Sequence, residues 1–149
     1  MEGDHTLQEE LDDELYDRIV ALSEEGNKFY DDGLYREALA KFSAALELVP
    51  EPINDWETST WLLASIGDCH YLLGEYGEAR DALARAMYCP GALGNSFIHL
   101  RLGQVQYELG DEARAKDELA RAYMGGGKEL FDEQDPKYYA FIKKYMRGL

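Results

Sequence analysis

The side chains here that could do chemistry are few and scattered. His5, His70 and His99 stand alone, and the two cysteines are Cys69 and Cys89. Cys69-His70 with Cys89 has no zinc-ligand spacing, and the cysteines form no Cys-x-x-Cys pair. Gly125-Gly126-Gly127-Lys128 is rich in glycine but lacks the preceding strand and the Ser/Thr after lysine that a phosphate loop needs. It reads instead as a flexible hinge. No nucleophile elbow and no His-Glu-x-x-His occurs, and no carboxylate is marked as a general acid. His70 and His99 read as packed core histidines and Cys69 as a buried, inert thiol. The expectation is a chain with no catalytic residue, no metal and no cofactor.

Positioning elements are far better marked than chemistry. Gly26, Gly67 and Gly103 are each followed seven residues later by Gly33, Gly74 or Gly110. Five residues beyond each second glycine stands Ala38, Ala79 or Ala115, and seven further on Ala45, Ala86 or Ala122. Between those alanines sits Phe42, Leu83 or Leu119. A glycine inside a helical pattern costs ~1 kcal/mol relative to alanine, so the first of each pair predicts a close helix approach. The second predicts a helix end at which φ is positive. Each copy is thus a helix–turn–helix hairpin whose apolar face needs a neighbour.

These residues resemble the tetratricopeptide repeat, a two-helix unit of ~34 residues. The resemblance implies an all-α, right-handed solenoid with repeats at about 19–52, 60–93 and 95–128. Pro50 falls at the family's proline position, Pro90 comes one residue early, and Gly125-Gly126-Gly127 stands there in the third copy. The whole chain, 1–149, is expected to form one domain.

The spacers and ends carry their own signals. Asn54 with Glu57 resembles a capping box, which would start a helix near Asp55. Asn95 is a candidate N-cap. Thr6-Leu7-Gln8-Glu9 is another capping box, and Leu7, Leu11, Leu15, Ile19 and Leu22 form a helical stripe. One extended N-terminal helix starting near Leu7 is expected, with residues 1–6 acidic and frayed. Asp135-Pro136 starts a capping helix over about 136–147, with Tyr138, Phe141, Ile142 and Tyr145 on its apolar face. Its Lys137, Lys143, Lys144 and Arg147 make it the most basic stretch.

Charge narrows the partners. Thirty acidic against fifteen basic residues give a formal net charge of -15. Such a field repels nucleic acid and anionic membranes; it would attract a basic protein, and it also serves simply to keep a chain in solution. The start, Met1-Glu2-Gly3-Asp4-His5, has no signal-peptide character, and two unpatterned cysteines suit a reducing, cytoplasmic setting.

In the tetratricopeptide family the first helices of the hairpins line a concave groove that holds a protein partner. That resemblance assigns Asn27, Tyr30 and Asp31 to the groove, then Trp61, Ala64, Ser65, Asp68 and Tyr71, then Phe97, Arg101, Gln104 and Tyr107. Tyr30, Tyr71 and Tyr107 share one repeat position and suit either the groove or a packed contact with the next repeat. The domains that clamp acidic chaperone C-termini require groove lysines, and here Ser23 and Phe97 replace them, with Ser65 at one asparagine position.

From Trp56 to Tyr145 a narrower likeness exists. The runs Trp61-Leu62-Leu63-Ala64-Ser65-Ile66-Gly67-Asp68, Cys89-Pro90-Gly91-Ala92-Leu93-Gly94-Asn95 and Ala122-Tyr123-Met124-Gly125-Gly126-Gly127 carry it. They resemble small bacterial tetratricopeptide proteins of polymorphic-toxin (Rhs-type) loci. That implies an immunity protein that binds and neutralises a toxin domain. Translocator chaperones of type III secretion and general scaffolds are the other readings open to a three-repeat protein.

Overall fold

The computed structural model describes residues 11–146, and among them every regular element is a helix. Helices α1 (Asp13–Asp31), α2 (Tyr35–Glu47), α3 (Glu57–Leu72), α4 (Tyr76–Ala86), α5 (Ser96–Glu108) and α6 (Glu112–Gly126) pack as three successive hairpins. Helix α2 then packs on α3 and α4 on α5, so the hairpins stack. After a 3-10 turn at Lys128–Phe131, α7 (Pro136–Lys143) closes the far side of the third hairpin.

The glycine pattern explains the stack. A Cβ on Gly26, Gly67 or Gly103 would stand 2.8, 2.5 or 2.7 Å from an atom of Phe42, Leu83 or Leu119, respectively. The large side chain of each second helix lies directly on the bare backbone of the first. Gly33, Gly74 and Gly110 have φ of 77, 78 and 85°. At each, the glycine N–H returns to the carbonyl three residues back and the next N–H to the one five back. For Gly33 and Leu34 these bonds measure 2.9 and 2.8 Å. This closes the helix end without a side-chain cap. Gly67→Leu is therefore expected to destabilise by about 1–3 kcal/mol through overpacking. Urea unfolding checks this, and an unchanged midpoint would contradict the close-approach argument.

Several local expectations need correction. The described chain is not helical at Leu11 and Asp12. Asp12 has extended backbone, and its side chain accepts from the N–H groups of Glu14 and Leu15, so it caps α1. The stripe thus supplies the helix from Asp13 onward, and the Thr6 capping box lies outside the described residues, as does the acidic segment 1–6. Asn54 is not a helix cap. It sits in a 3-10 turn, Ile53–Asp55, and α3 starts after Trp56, which makes no side-chain cap bond. The indole N–H of Trp56 instead donates to the Pro50 carbonyl at 2.8 Å, which ties the two ends of the spacer together. The Gly125-Gly126-Gly127 hinge is not a hinge. Gly125 and Gly126 continue α6, and Gly127, with φ of 72°, ends it. The glycines admit Ser96 and Leu130 against the helix backbone.

Asn95 caps α5 by accepting from Ile98, and Asp135 caps α7 with Pro136 in the first turn. Tyr138, Phe141 and Ile142 are buried against Leu100, Ala115, Leu119 and Ala122. The terminal helix therefore covers an apolar face that would otherwise meet water.

Candidate protein-binding groove

The first helices of the three hairpins, α1, α3 and α5, each contribute residues to one shared side of the stack, spaced i, i+3/i+4, i+7. Trp61, Ser65 and Asp68 follow that spacing on α3, as do Phe97, Arg101 and Gln104 on α5. Two open clefts run along this side. One, of about 400 Å³, is lined by Trp61, Ala64, Ser65, Asp68 and Phe97 together with Glu57, Thr60, Pro90, Gly91 and Asn95. The other, of about 230 Å³, lies among Asn27, Tyr30, Phe42, Ser65 and Asp68. Ser65 and Asp68 belong to both, so the clefts adjoin.

The sequence-assigned residues divide into two sets. Trp61 and Phe97 are large and exposed at 38% and 36%, and Asn27 and Asp31 are also open to solvent. Ser65 is half-buried between the two clefts. Tyr30, Asp68, Tyr71, Arg101 and Gln104 are engaged with one another. Arg101 donates from Nε to Asp68 at 2.5 Å and from a terminal nitrogen to Gln104 and Gln134, both at 2.8 Å. Gln104 donates to Gln134 at 2.9 Å. Tyr30 donates to the other Asp68 oxygen at 2.6 Å. The guanidinium also lies over the Tyr71 ring at 4.6 Å and the Phe97 ring at 5.1 Å. A buried ion pair thus ties α1, α3, α5 and the segment before α7 into one ladder. Burial first, and then the hydrogen bond to Asp68, raise the Tyr30 hydroxyl above its ordinary range, so it stays a donor.

The three repeated tyrosines each reach across the stack. Tyr30 binds Asp68 of α3. Tyr71 shares a 2.8 Å hydrogen bond with Tyr138, whose hydroxyl donates to Glu108 at 2.5 Å. Tyr107 meets the edges of Tyr138 and Phe141. All three remain half-buried, and of them only Tyr30 lines one of the two clefts. The basic residues of α7 are likewise partly spoken for, since Lys137 pairs with Glu108 at 2.7 Å.

The histidines differ from each other. His99 is buried, with one ring nitrogen on Glu118 at 2.6 Å and the other on the Leu93 carbonyl at 2.8 Å. His70 is not sealed in the core. Its side chain is 17% exposed, and Nδ1 lies 2.8 Å from Glu75, which also takes two bonds from Arg36. Arg36 and then His70 hold the Glu75 carboxyl below its ordinary value. Cys69 is fully buried, and burial, helped by Asp68, pushes its thiol up to about 12. Such a thiol is unreactive at neutral pH. Among the described residues no three His, Cys, Asp or Glu side chains converge as metal ligands. No helix there is long and apolar enough to cross a membrane.

Sequence reasoning missed Glu57, the Pro90–Asn95 loop and Gln134 as groove neighbours. Glu57 was findable, because it precedes Trp61 by four residues and so shares its helix face. Nothing local in the sequence marks Gln134.

Comparison with known proteins agrees with this fold. No family profile matches the chain. A TPR repeat-containing protein of Arabidopsis thaliana is 31% identical over 88 residues, which are 59% of this chain and 10% of that protein. The chain therefore spans about a tenth of the length of this curated relative. Among solved structures, the C-terminal TPR-containing domain of a Plasmodium falciparum FK506-binding protein superposes with a TM-score of 0.70 at 17% identity, covering 91% of this chain and 90% of that one. The Yersinia enterocolitica type III secretion chaperone SycD, in complex with a peptide of the translocator YopD, gives 0.67 at 17% identity, covering 86% and 92%. The second TPR of Spaghetti (RPAP3), bound to an HSP90 peptide, gives 0.62 at 18% identity, covering 72% and 92%. The chain has the fold of a tetratricopeptide solenoid.

Proposed function

We propose that this protein is a non-catalytic interaction module whose concave side takes a segment of a protein partner. One observation carries the reading. Trp61 and Phe97 stand exposed in the lining of one open cleft, on helices that Asp68 and Arg101 lock together through a buried ion pair. Exposed aromatics on a rigid, preorganised wall are the usual anchors of interfaces. The solved neighbours that hold peptides support the same use of the fold.

The partner we infer is a basic toxin domain, which this chain would neutralise as an immunity protein in the cytoplasm. The resemblance from Trp56 to Tyr145 to proteins of polymorphic-toxin loci supports this, as does the net charge of -15. An HSP90-type acidic tail is disfavoured because Arg101, the groove cation, is buried and paired with Asp68. The second reading is a type III translocator chaperone. It is favoured by the likeness to SycD and to PcrH in complex with the chaperone-binding region of PopB.

Co-expression separates the two. An immunity protein is expected to restore growth of cells producing the toxin encoded beside its gene. Unprotected cells, or translocator genes in that position, would discard immunity and leave the chaperone or scaffold reading.

A further inference from the structure

The cleft wall formed by Trp61 has a second side. There a separate cavity of about 420 Å³ opens between the start of α1 and the start of α3. Its walls include three aromatic side chains, Tyr16, Trp56 and Trp61, and two carboxylates, Asp13 and Glu57. Trp56 is held in place by its bond to the Pro50 carbonyl. Tyr16 and Trp61 are 44% and 38% exposed. Among the described residues, neither Asp13 nor Glu57 pairs with a basic side chain.

The surroundings are short of cations. Residues 1–79 hold twenty acidic and four basic side chains, whereas residues 80–149 hold ten and eleven. No lysine or arginine occurs between Lys41 and Arg80. The aromatic faces follow the same division. Every cation–π contact of the described residues falls on a ring between Tyr71 and Tyr145, and none falls on Tyr16, Trp56 or Trp61. Cations of the C-terminal half cover many of its aromatic faces, and among the described residues the N-terminal trio is left without one.

An aromatic face attracts a cation through its quadrupole, and an adjacent carboxylate adds direct attraction. An anionic or purely apolar group would gain less from the same walls. We propose that this cavity is a recognition site for a basic side chain, lysine or arginine, projecting from the protein segment bound in the groove. The proposal rests on the protein-binding reading and sharpens it: the partner's cation enters beside Trp61 while its apolar part lies across Trp61 and Phe97. A guanidinium stacks flat on an indole, so arginine is favoured over lysine.

The two tryptophans of the chain are Trp56 and Trp61, so both indole N–H resonances report on this cavity. The experiment titrates the isolated protein with N-acetyl-arginine amide, N-acetyl-lysine amide and the neutral N-acetyl-norleucine amide, read by heteronuclear NMR. The cationic amides are expected to shift the indole signals saturably, in the millimolar range, and norleucine is not. Asp13→Asn with Glu57→Gln is expected to weaken arginine binding about tenfold. Both carboxylates also stand in the first turns of their helices, so circular dichroism verifies that the double variant is folded. Salt titration of the unaltered protein gives the same test without substitution, since added sodium chloride should weaken the cationic amides. An equal response to norleucine, no response to either cation, or binding indifferent to salt and to the double substitution would overturn the proposal. Because the probes are small amides, that outcome is independent of whether a protein partner binds the groove.

Discussion

Replacing Arg101 by methionine is expected to destabilise the fold by about 3–5 kcal/mol, the range for removing one partner of a buried ion pair. The Arg101 and Asp68 side chains are 8% and 9% exposed. Methionine keeps much of the volume but leaves the Asp68 carboxylate buried with only the Tyr30 hydroxyl as a donor. It also strips Gln104 and Gln134 of the donor they share. The cost comes mainly from the orphaned charge and not from the loss of a favourable contact. Adding Asp68→Asn should therefore recover more than half of it, because asparagine still accepts from Tyr30 and carries no charge. Urea unfolding of the two single variants and the double variant measures the coupling. If the single substitution is harmless, or if the double variant is as unstable as the sum, the ladder is not the element that ties the hairpins together.

Tyr138→Ala is the second large effect, about 3–5 kcal/mol for truncation of a buried aromatic. Tyr138 is 2% exposed and is the point at which α7 grips two different hairpins. Its ring meets Tyr107 edge-on, and its hydroxyl sits between Tyr71 of α3 and Glu108 of α5. Burial, then Glu108 and Tyr71, raise that hydroxyl well above the ordinary phenol range, so it remains protonated and donating. Tyr138→Phe keeps the ring and loses only the bonds, so it should cost about 1–2 kcal/mol. Thermal melts of both variants, with light scattering to follow aggregation, rank them. Tyr138→Ala as stable as the parent would make α7 a detachable arm and give its lysines a role beyond capping.

The parts of this fold that were legible in the sequence are those with a local cause. Positive φ at Gly33, Gly74 and Gly110 and bare backbone at Gly26, Gly67 and Gly103 are demands of single positions, so glycine spacing displays the hairpins directly. Asn95 and Asp135 act on N–H groups two or three residues away and were equally plain. Competing local signals were harder. Thr6 and Asp12 both offer a cap to the same stripe, and Asp12 caps the described helix. Asn54 falls in a 3-10 turn, and the helix starts only after Trp56, whose indole bonds back to the Pro50 carbonyl.

The groove was legible in outline only. Trp61 and Phe97 were assigned to it by the resemblance to the tetratricopeptide repeat, and both are exposed and line one cleft. The pairing of Asp68 with Arg101, 33 residues apart, depends on how the hairpins stack. Gln134 and Tyr138 return to the groove side from beyond the third hairpin, through contacts 30 to 67 residues away. Nothing in a one-dimensional pattern records such contacts. Much of the polar surface on this side is spent on holding its shape, which leaves Trp61 and Phe97 as its open aromatic side chains.

The central claim is that a protein partner binds the concave side through Trp61 and Phe97. The most direct measurement is quantitative affinity capture with the native partner, comparing the parent with two double variants of equal fold. Trp61→Ala with Phe97→Ala removes the groove anchors. Tyr88→Ala with Met124→Ala removes two large side chains, 78% and 76% exposed, that do not line the clefts. The account predicts that the first variant loses the partner, with anchor residues of this type contributing ~2 kcal/mol or more each, and that the second retains it. Retention by the first and loss by the second would contradict the account and move the interface off the groove.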